Sequence, residues 1–370
     1  MTREVSRRQF LQAMIAAGLS AGGVSVLAAC SAPAPAAAPT AAPTVAPATA
    51  TPTAGAATIT PTVAPAKATP TVTPDRYRGI EAMKVDLPDG RVLEVRSTGP
   101  KDGEILLFQN GTPMVGLPFV PWAEAAAARG LRTVAYSRPG YSTSSSMPGR
   151  KVVDAATDAA RVVDAFGAKT FRTIGFSGGG PHALACAAEL PDRCLAAVAL
   201  SSIAPYDAEG LDWFNGMCLD NVEEFGLALK GADALKPLLQ TVAGIIRTLR
   251  PEQLAGSPGG CLSEADRAVL TGEFAAWILE VQRLGLAHGT DGWRDDDLAF
   301  VTDWGFDVRD AKAVAIWSGG QDRLVPSVHG QWLADHIPGA RRRMLASEGH
   351  LSIAVKAFED ILDDLLDLTR

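Results

Sequence analysis

The stretch Ile174-Gly175-Phe176-Ser177-Gly178-Gly179-Gly180-Pro181 constrains this chain more than any other. A short apolar run, Phe171 to Ile174, leads into it, and a breaker-free helical run, His182 to Leu190, leads out. Ser177 therefore sits on a strand-to-helix turn, with a glycine two residues to either side. A turn that sharp holds a serine in sparsely populated dihedrals and pushes its hydroxyl out above the sheet edge. Gly175 and Gly179 remove the Cβ atoms that would meet where the strand and helix backbones cross. The pattern alone decides little, because glycine supplies 36 of the 370 residues. Gly178 to Ala183 also fit G-x-G-x-x-A, a dinucleotide fingerprint. That fingerprint wants an acidic residue at the tip of the next strand, and Leu195 to Ser202 carries none. Whether Ser177 is a nucleophile depends on a histidine and a carboxylate further along.

The segments around this turn alternate. Met83 to Leu87 and Val92 to Arg96 flank Pro88-Asp89-Gly90 as a hairpin. Glu104 to Phe108 is a continuous apolar run, as in a strand buried on both faces. A helix over Trp122 to Arg129, a strand over Leu131 to Tyr136 and a helix over Asp154 to Phe166 follow. Alternation of this kind specifies an α/β protein with a doubly wound, mostly parallel sheet. It stops after Ser202. Between there and Trp304 the patterns are helical only, with candidates at Val222 to Leu229, Leu235 to Leu249 and Glu264 to Leu284, and a loop at 256–260. A strand resumes at Ala313 to Trp317, a helix spans Val328 to His336, the last strand is Arg341 to Ala346, and a terminal helix covers Ala354 to Leu368. The expected organisation is a core of 75–205 and 305–370 with an all-helical insertion, 206–304, over the carboxyl edge of the sheet as a lid.

The amino terminus carries addresses rather than fold. Ser6-Arg7-Arg8-Gln9-Phe10-Leu11 closely matches a twin-arginine export signal, and the apolar stretch after it is too weak for a confident membrane span. Leu27-Ala28-Ala29-Cys30 resembles the bacterial lipoprotein processing box, which implies cleavage after 29, lipidation of Cys30, and a domain anchored to a membrane outside the cytoplasm. Residues 30–74 are almost wholly Ala, Pro, Thr and Val, too poor in bulky apolar groups to offset the entropy of ordering, and are expected to form a disordered tether. The net charge of −7 argues against a nucleic-acid partner. The five histidines and five cysteines show no metal-ligand spacing, so no metal site is expected, and a serine, a histidine and a carboxylate acting together imply no organic cofactor.

Beyond the insertion, Asp322 follows a strand end in Ser318-Gly319-Gly320-Gln321-Asp322, ahead of Val325-Pro326. His350 follows the next strand in Glu348-Gly349-His350. Ser177, Asp322 and His350 thus occur as nucleophile, acid and base, each beyond the carboxyl end of a parallel strand, where three side chains can converge. With these motifs the sequence resembles the α/β-hydrolase fold superfamily, in its serine-hydrolase branch, over about residues 80 to 368. The resemblance implies an oxyanion hole from the backbone N–H groups of Thr112 and Gly178, since Asn110-Gly111-Thr112-Pro113 stands where the family has His-Gly-x-Pro. Asn110 replaces the usual histidine. Ser137-Arg138-Pro139-Gly140-Tyr141-Ser142 resembles the family's Asp-Arg-Pro-Gly-x-Gly loop, with substitutions at 137 and 142 and with Arg138 in a structural role.

Simpler roles suit the remaining candidates. Glu348 is a solvated loop charge rather than the triad acid, and His182 packs or lines the pocket. Cys186 and Cys194 are buried thiols. Cys218 and Cys261 both lie in the insertion and can pair in an oxidising compartment, although the sequence does not fix the connectivity. Trp213, Phe214, Phe274 and Trp277 suit either a pocket wall or a core. The expectation is a serine hydrolase acting on a small ester or related acyl substrate. Aminopeptidase, carbon–carbon bond hydrolase and haloperoxidase chemistry remain open on the same triad, as does a binding lipoprotein on a retired hydrolase scaffold.

Overall fold

The computed structural model describes residue 77, residues 79–256 and residues 260–369. The export signal, Cys30 and the tether lie outside the described residues. Among those described, no helix is long and apolar enough to cross a membrane.

Eight strands form one sheet: β1 (Glu81–Asp86), β2 (Val92–Thr98), β3 (Glu104–Gln109), β4 (Leu131–Tyr136), β5 (Phe171–Phe176), β6 (Cys194–Leu200), β7 (Val314–Gly319) and β8 (Arg341–Leu345). Their spatial order is β1-β2-β4-β3-β5-β6-β7-β8. The β1–β2 hairpin is antiparallel and joins β4 antiparallel; every other pairing is parallel. All six residues of β5 and all six of β7 are buried, as expected of strands covered on both faces. The exposed edge is guarded by charge. Arg341 and Arg343 of β8 each pair with Asp364, at 3.0 and 2.9 Å.

Three helices belong to the first half of the core: α1 (Val120–Ala128), α2 (Asp154–Ala165) and α3 (Gly180–Glu189). The third begins beside Ser177, with Pro181 in its first turn, where a missing N–H costs nothing. Between β6 and β7 come α4 (Leu219–Ala228), α5 (Ala232–Thr248), α6 (Pro251–Leu254), α7 (Glu264–Val269), α8 (Gly272–Gly285) and α9 (Asp291–Phe300), with no strand among the described residues. A disulfide joins Cys218 to Cys261 across this region, while Cys186 and Cys194 are buried free thiols. The core closes with α10 (Ser327–His336), α11 (Ser352–Lys356) and α12 (Phe358–Asp367).

Two helices expected to be continuous are broken. The run from Glu264 to Leu284 divides between α7 and α8, where Thr271 is extended and Gly272 has φ of 51°, a conformation that glycine adopts without a Cβ penalty. The terminal run divides at Ala357. Two helices, the single turn α6 and the longer α9, have no counterpart in the sequence-based expectation. The second carries an unexpected burial pattern. Its three successive acids, Asp295 to Asp297, look like a solvated surface, yet all three are buried.

Candidate active site

The serine turn is as tight as its glycines imply. Ser177 has φ of 54°, a left-handed backbone that a side chain rarely adopts. A Cβ at Gly175 would collide with Gly179 O, and one at Gly179 with Gln109 O at the end of β3. The elbow is thus wedged against the strand that leads into residues 110–113. Ser177 is half-buried, and among the described residues its hydroxyl has no hydrogen-bond partner.

Asp322 and His350 meet. The imidazole Nδ1 lies 2.7 Å from Asp322 Oδ2, and both residues are buried. The other carboxylate oxygen, Oδ1, accepts from the Leu324 and Val325 N–H groups at 2.9 and 2.8 Å, which fixes the acid on its turn. Gln321 N donates to Glu348 O at 2.8 Å, so the two loops are also bound directly. Burial disfavours a charged His350, but the Asp322 charge and hydrogen bond, with Asp266 behind them, raise its pKa above the usual 6.5. Burial likewise pushes the Asp322 carboxyl up, against the pull of the imidazole. Glu348 does not compete for this role, since it pairs with Lys356 at 3.0 Å.

Thr112 and Gly178 lie side by side: a Cβ on Gly178 would come within 3.1 Å of Thr112 N. The loop that carries Thr112 is held without the family's histidine. Asn110 Nδ2 donates to Val115 O, and Arg138 donates to Asn110 O. Arg138 is paired inside the fold, as expected of a structural arginine, and its partner is Asp296 of α9 at 2.5 Å. Asp296 also receives Arg150 at 2.9 Å, Tyr141 Oη at 2.8 Å and Thr112 Oγ1 at 2.7 Å. Burial works against its charge, yet the two arginines hold its carboxyl well below the usual range. At the two positions of the Arg138 loop that depart from the family pattern, Ser142 has a left-handed backbone at φ of 49°, and Ser137 Oγ accepts from Gly116 N at 3.2 Å.

Ser177, His350, Thr112 and Gly178 all open onto one cavity of about 290 Å³. Its far walls come from α4, α5, α8 and α9, and are mainly apolar, with Phe225, Ile246, Ile278 and Phe300 among them. Glu224 and Asp297 interrupt that surface. Trp293 Nε1 donates to Glu224 Oε1 at 2.7 Å, and burial together with Glu224 raises the Asp297 pKa well above its usual value. His182 is buried against the Phe300 ring, outside this lining, and burial helps to hold its pKa down to about 3. Trp213, Phe214, Phe274 and Trp277 pack in aromatic clusters instead of lining the cavity. Among the described residues, no group of three or more His, Cys, Asp or Glu is arranged to hold a metal ion.

Sequence reasoning passed over Asp296, Arg150 and a second buried acid, Asp266. Asp266 stands three residues after Ser263, a spacing that marks a helix cap. The cap forms: Ser263 Oγ accepts from Asp266 N, and Asp266 Oδ2 accepts from Ser263 N, both at 3.2 Å. Nothing local announces that its other oxygen, Oδ1, accepts from Leu351 N and Ser352 N, at 2.7 and 3.0 Å.

Comparison with known proteins agrees with this architecture. No curated protein matches the sequence. A hydrolase structure from Pseudomonas aeruginosa PA01 superposes with a TM-score of 0.54 at 20% identity, covering 78% of this chain and 98% of that one. An esterase from Exiguobacterium antarcticum gives 0.55 at 16% identity, covering 78% and 99%. An enol-lactonase from Burkholderia xenovorans LB400 gives 0.54 at 17%, covering 78% and 100%. Identities this low speak for the fold alone. Residues 104–357 match the family described as the alpha/beta hydrolase fold, which is most of the chain, and the protein belongs to that family.

Proposed function

We propose that this hydrolase-fold protein is a serine hydrolase that cleaves a small ester or related acyl compound. The observation that carries the reading is the 2.7 Å contact between His350 and Asp322, on a cavity shared with a serine held at φ of 54°. Ser177 Oγ attacks the carbonyl carbon as its proton passes to His350 Nε2. The resulting oxyanion accepts from the Thr112 and Gly178 N–H groups. The ester C–O bond then breaks, and His350 returns the proton to the departing alkoxide. A water molecule, deprotonated by His350, attacks the acyl carbon. Ser177 leaves with that proton, and the free acid is released. Asp322 orients the imidazole and steadies its charged form. The apolar cavity suits a small uncharged acyl or alcohol group.

The test is hydrolysis of p-nitrophenyl esters of graded chain length by the purified protein. Short chains are expected to be cleaved, with activity lost in Ser177→Ala. If Ser177→Ala keeps full turnover, Ser177 is not the nucleophile; if no acyl ester is cleaved, the competing reading of a ligand-binding protein on a hydrolase scaffold takes over. The same proposal has the domain exported and anchored through Cys30 beyond the 30–74 tether. The Cys218–Cys261 disulfide supports an oxidising compartment. Metabolic palmitate labelling should be lost in Cys30→Ala, and unchanged labelling would remove the anchor.

A further inference from the structure

Residues 206–304 reach both loops that carry the acid and the base. On one side, Cys218 N donates to Arg323 O at 2.7 Å, and Asn221 Nδ2 donates to Leu324 O at 3.0 Å. Both carbonyls belong to the turn that Asp322 begins. On the other side, Asp266 Oδ1 takes the N–H groups of Leu351 and Ser352, the two residues directly after His350. The approach is close: a Cβ at Gly349 would collide with Ser263 Oγ and Asp266 Oδ2. The Cys218–Cys261 disulfide ties the two sides together, because Cys261 stands two residues before Ser263.

Asp266 is fully buried, and among the described residues no lysine or arginine pairs with it. Its neighbours are the two backbone N–H groups after His350 and the N–H and hydroxyl of Ser263, the last at 2.8 Å. So much desolvated charge, spent on two amides next to an imidazole, is more than a helix cap requires.

We propose that Asp266 is a positioning residue for His350: its carboxylate, anchored through the Cys218–Cys261 disulfide, fixes the backbone after the imidazole relative to the turn that carries Asp322. This rests on the reading of His350 as the catalytic base. Around the imidazole, Asp322 and Asp266 are the charged groups that act on it. Phe176 from β5 faces it with its ring, Ser201 from the end of β6 donates to its backbone carbonyl at 3.3 Å, and Glu348 is engaged with Lys356. Both carboxylates favour the imidazolium, so removing the Asp266 charge moves the His350 titration toward acid.

The experiment compares wild type, Asp266→Asn, Ser263→Ala and the Cys218→Ser/Cys261→Ser double variant. Two readouts are taken on the intact domain: NMR titration of the His350 imidazole, assigned with His350→Gln, and kcat and KM for p-nitrophenyl acetate against pH. In Asp266→Asn the imidazole titration moves to lower pH, and kcat falls on the order of 100-fold with KM nearly constant, as expected of a displaced catalytic group. Ser263→Ala and the double variant give smaller losses in kcat. A folded Asp266→Asn with the wild-type titration and kcat overturns the proposal; if Asp266→Asn does not fold, an unchanged kcat in Ser263→Ala does so. Wild type that fails on every ester, with the titration still displaced in Asp266→Asn, refutes the catalytic reading and leaves the positioning role standing.

Discussion

Two buried carboxylates in residues 206–304, Asp296 and Asp266, grip the core in different ways. Asp296 meets two arginines, a phenol and a threonine hydroxyl, and fastens the loop that carries Thr112. Asp266 meets only neutral donors, and fastens the loop that carries His350. The first is a neutralised pin: its charge is spent on Arg138 and Arg150. The second keeps a field that reaches the imidazole beside it. The two histidines differ accordingly. His182 is held down to about 3 by burial first and then by the Arg138 charge, against the pull of Asp296. His350 is buried as well, but Asp322 and Asp266 outweigh that burial and raise it above 6.5. One acid is thus surrounded by cations, and the other sits among neutral donors beside an imidazole.

The largest effect that would sharpen this contrast is expected at Asp296. Asp296→Ala leaves two arginines buried without their partner, a loss of about 3–5 kcal/mol. Urea melts at pH 7 measure it, and a loss below that of an ordinary surface change would show that Arg138 and Arg150 find other acceptors. Next comes the disulfide, on the Asp266 side. With a sequence separation of 43, its removal is expected to cost about 2–4 kcal/mol in thermal unfolding. The cost in kcat should exceed anything that the change in stability explains.

Acidification separates the two sides by sign. Burial lowers the folded pKa of His182 to about 3 from 6.5, and that of His329, in α10 against the Trp213 ring, to about 4. Below pH 6.5 the unfolded chain binds protons that the folded chain does not, so stability falls as pH drops through that window, by a few kcal/mol in all. His350 behaves in the opposite way. Its raised pKa means that its contribution is present at low pH and is lost as pH rises through the folded value. Hydrolysis needs the neutral imidazole, so the acid limb of kcat/KM should have its midpoint above 6.5. A midpoint below 6.5 would break the comparison. The smallest effect is Thr112→Val. It removes one of four partners from Asp296 at about 1 kcal/mol and leaves the Thr112 N–H in place.

Much of the fold was legible because its signals are local. Apolar runs bounded by turn residues located the strands, and the strand–helix alternation implied their parallel pairing. The candidate site was legible for the same reason: Ser177, Asp322 and His350 each sit on a short turn directly after a strand. Asp296 and Asp266 were not legible, because their partners lie elsewhere in the chain. Arg138 is separated from Asp296 by 158 residues and Leu351 from Asp266 by 85. Three successive acids, Asp295 to Asp297, carry no local signal of burial, and Ser263 with Asp266 are already explained by the cap they form. Only the long-range packing shows that their charges point inward. The break at Thr271-Gly272 was written in the sequence, but the apolar periodicity continues across it.

The account stands most directly on the activation of one hydroxyl, and a fluorophosphonate probe reports on that hydroxyl. Labelling of the purified protein, localised by peptide mass spectrometry, is expected on Ser177 alone, and its rate should collapse in His350→Ala while the protein remains folded. Labelling at another residue, or an undiminished rate without the imidazole, would contradict it.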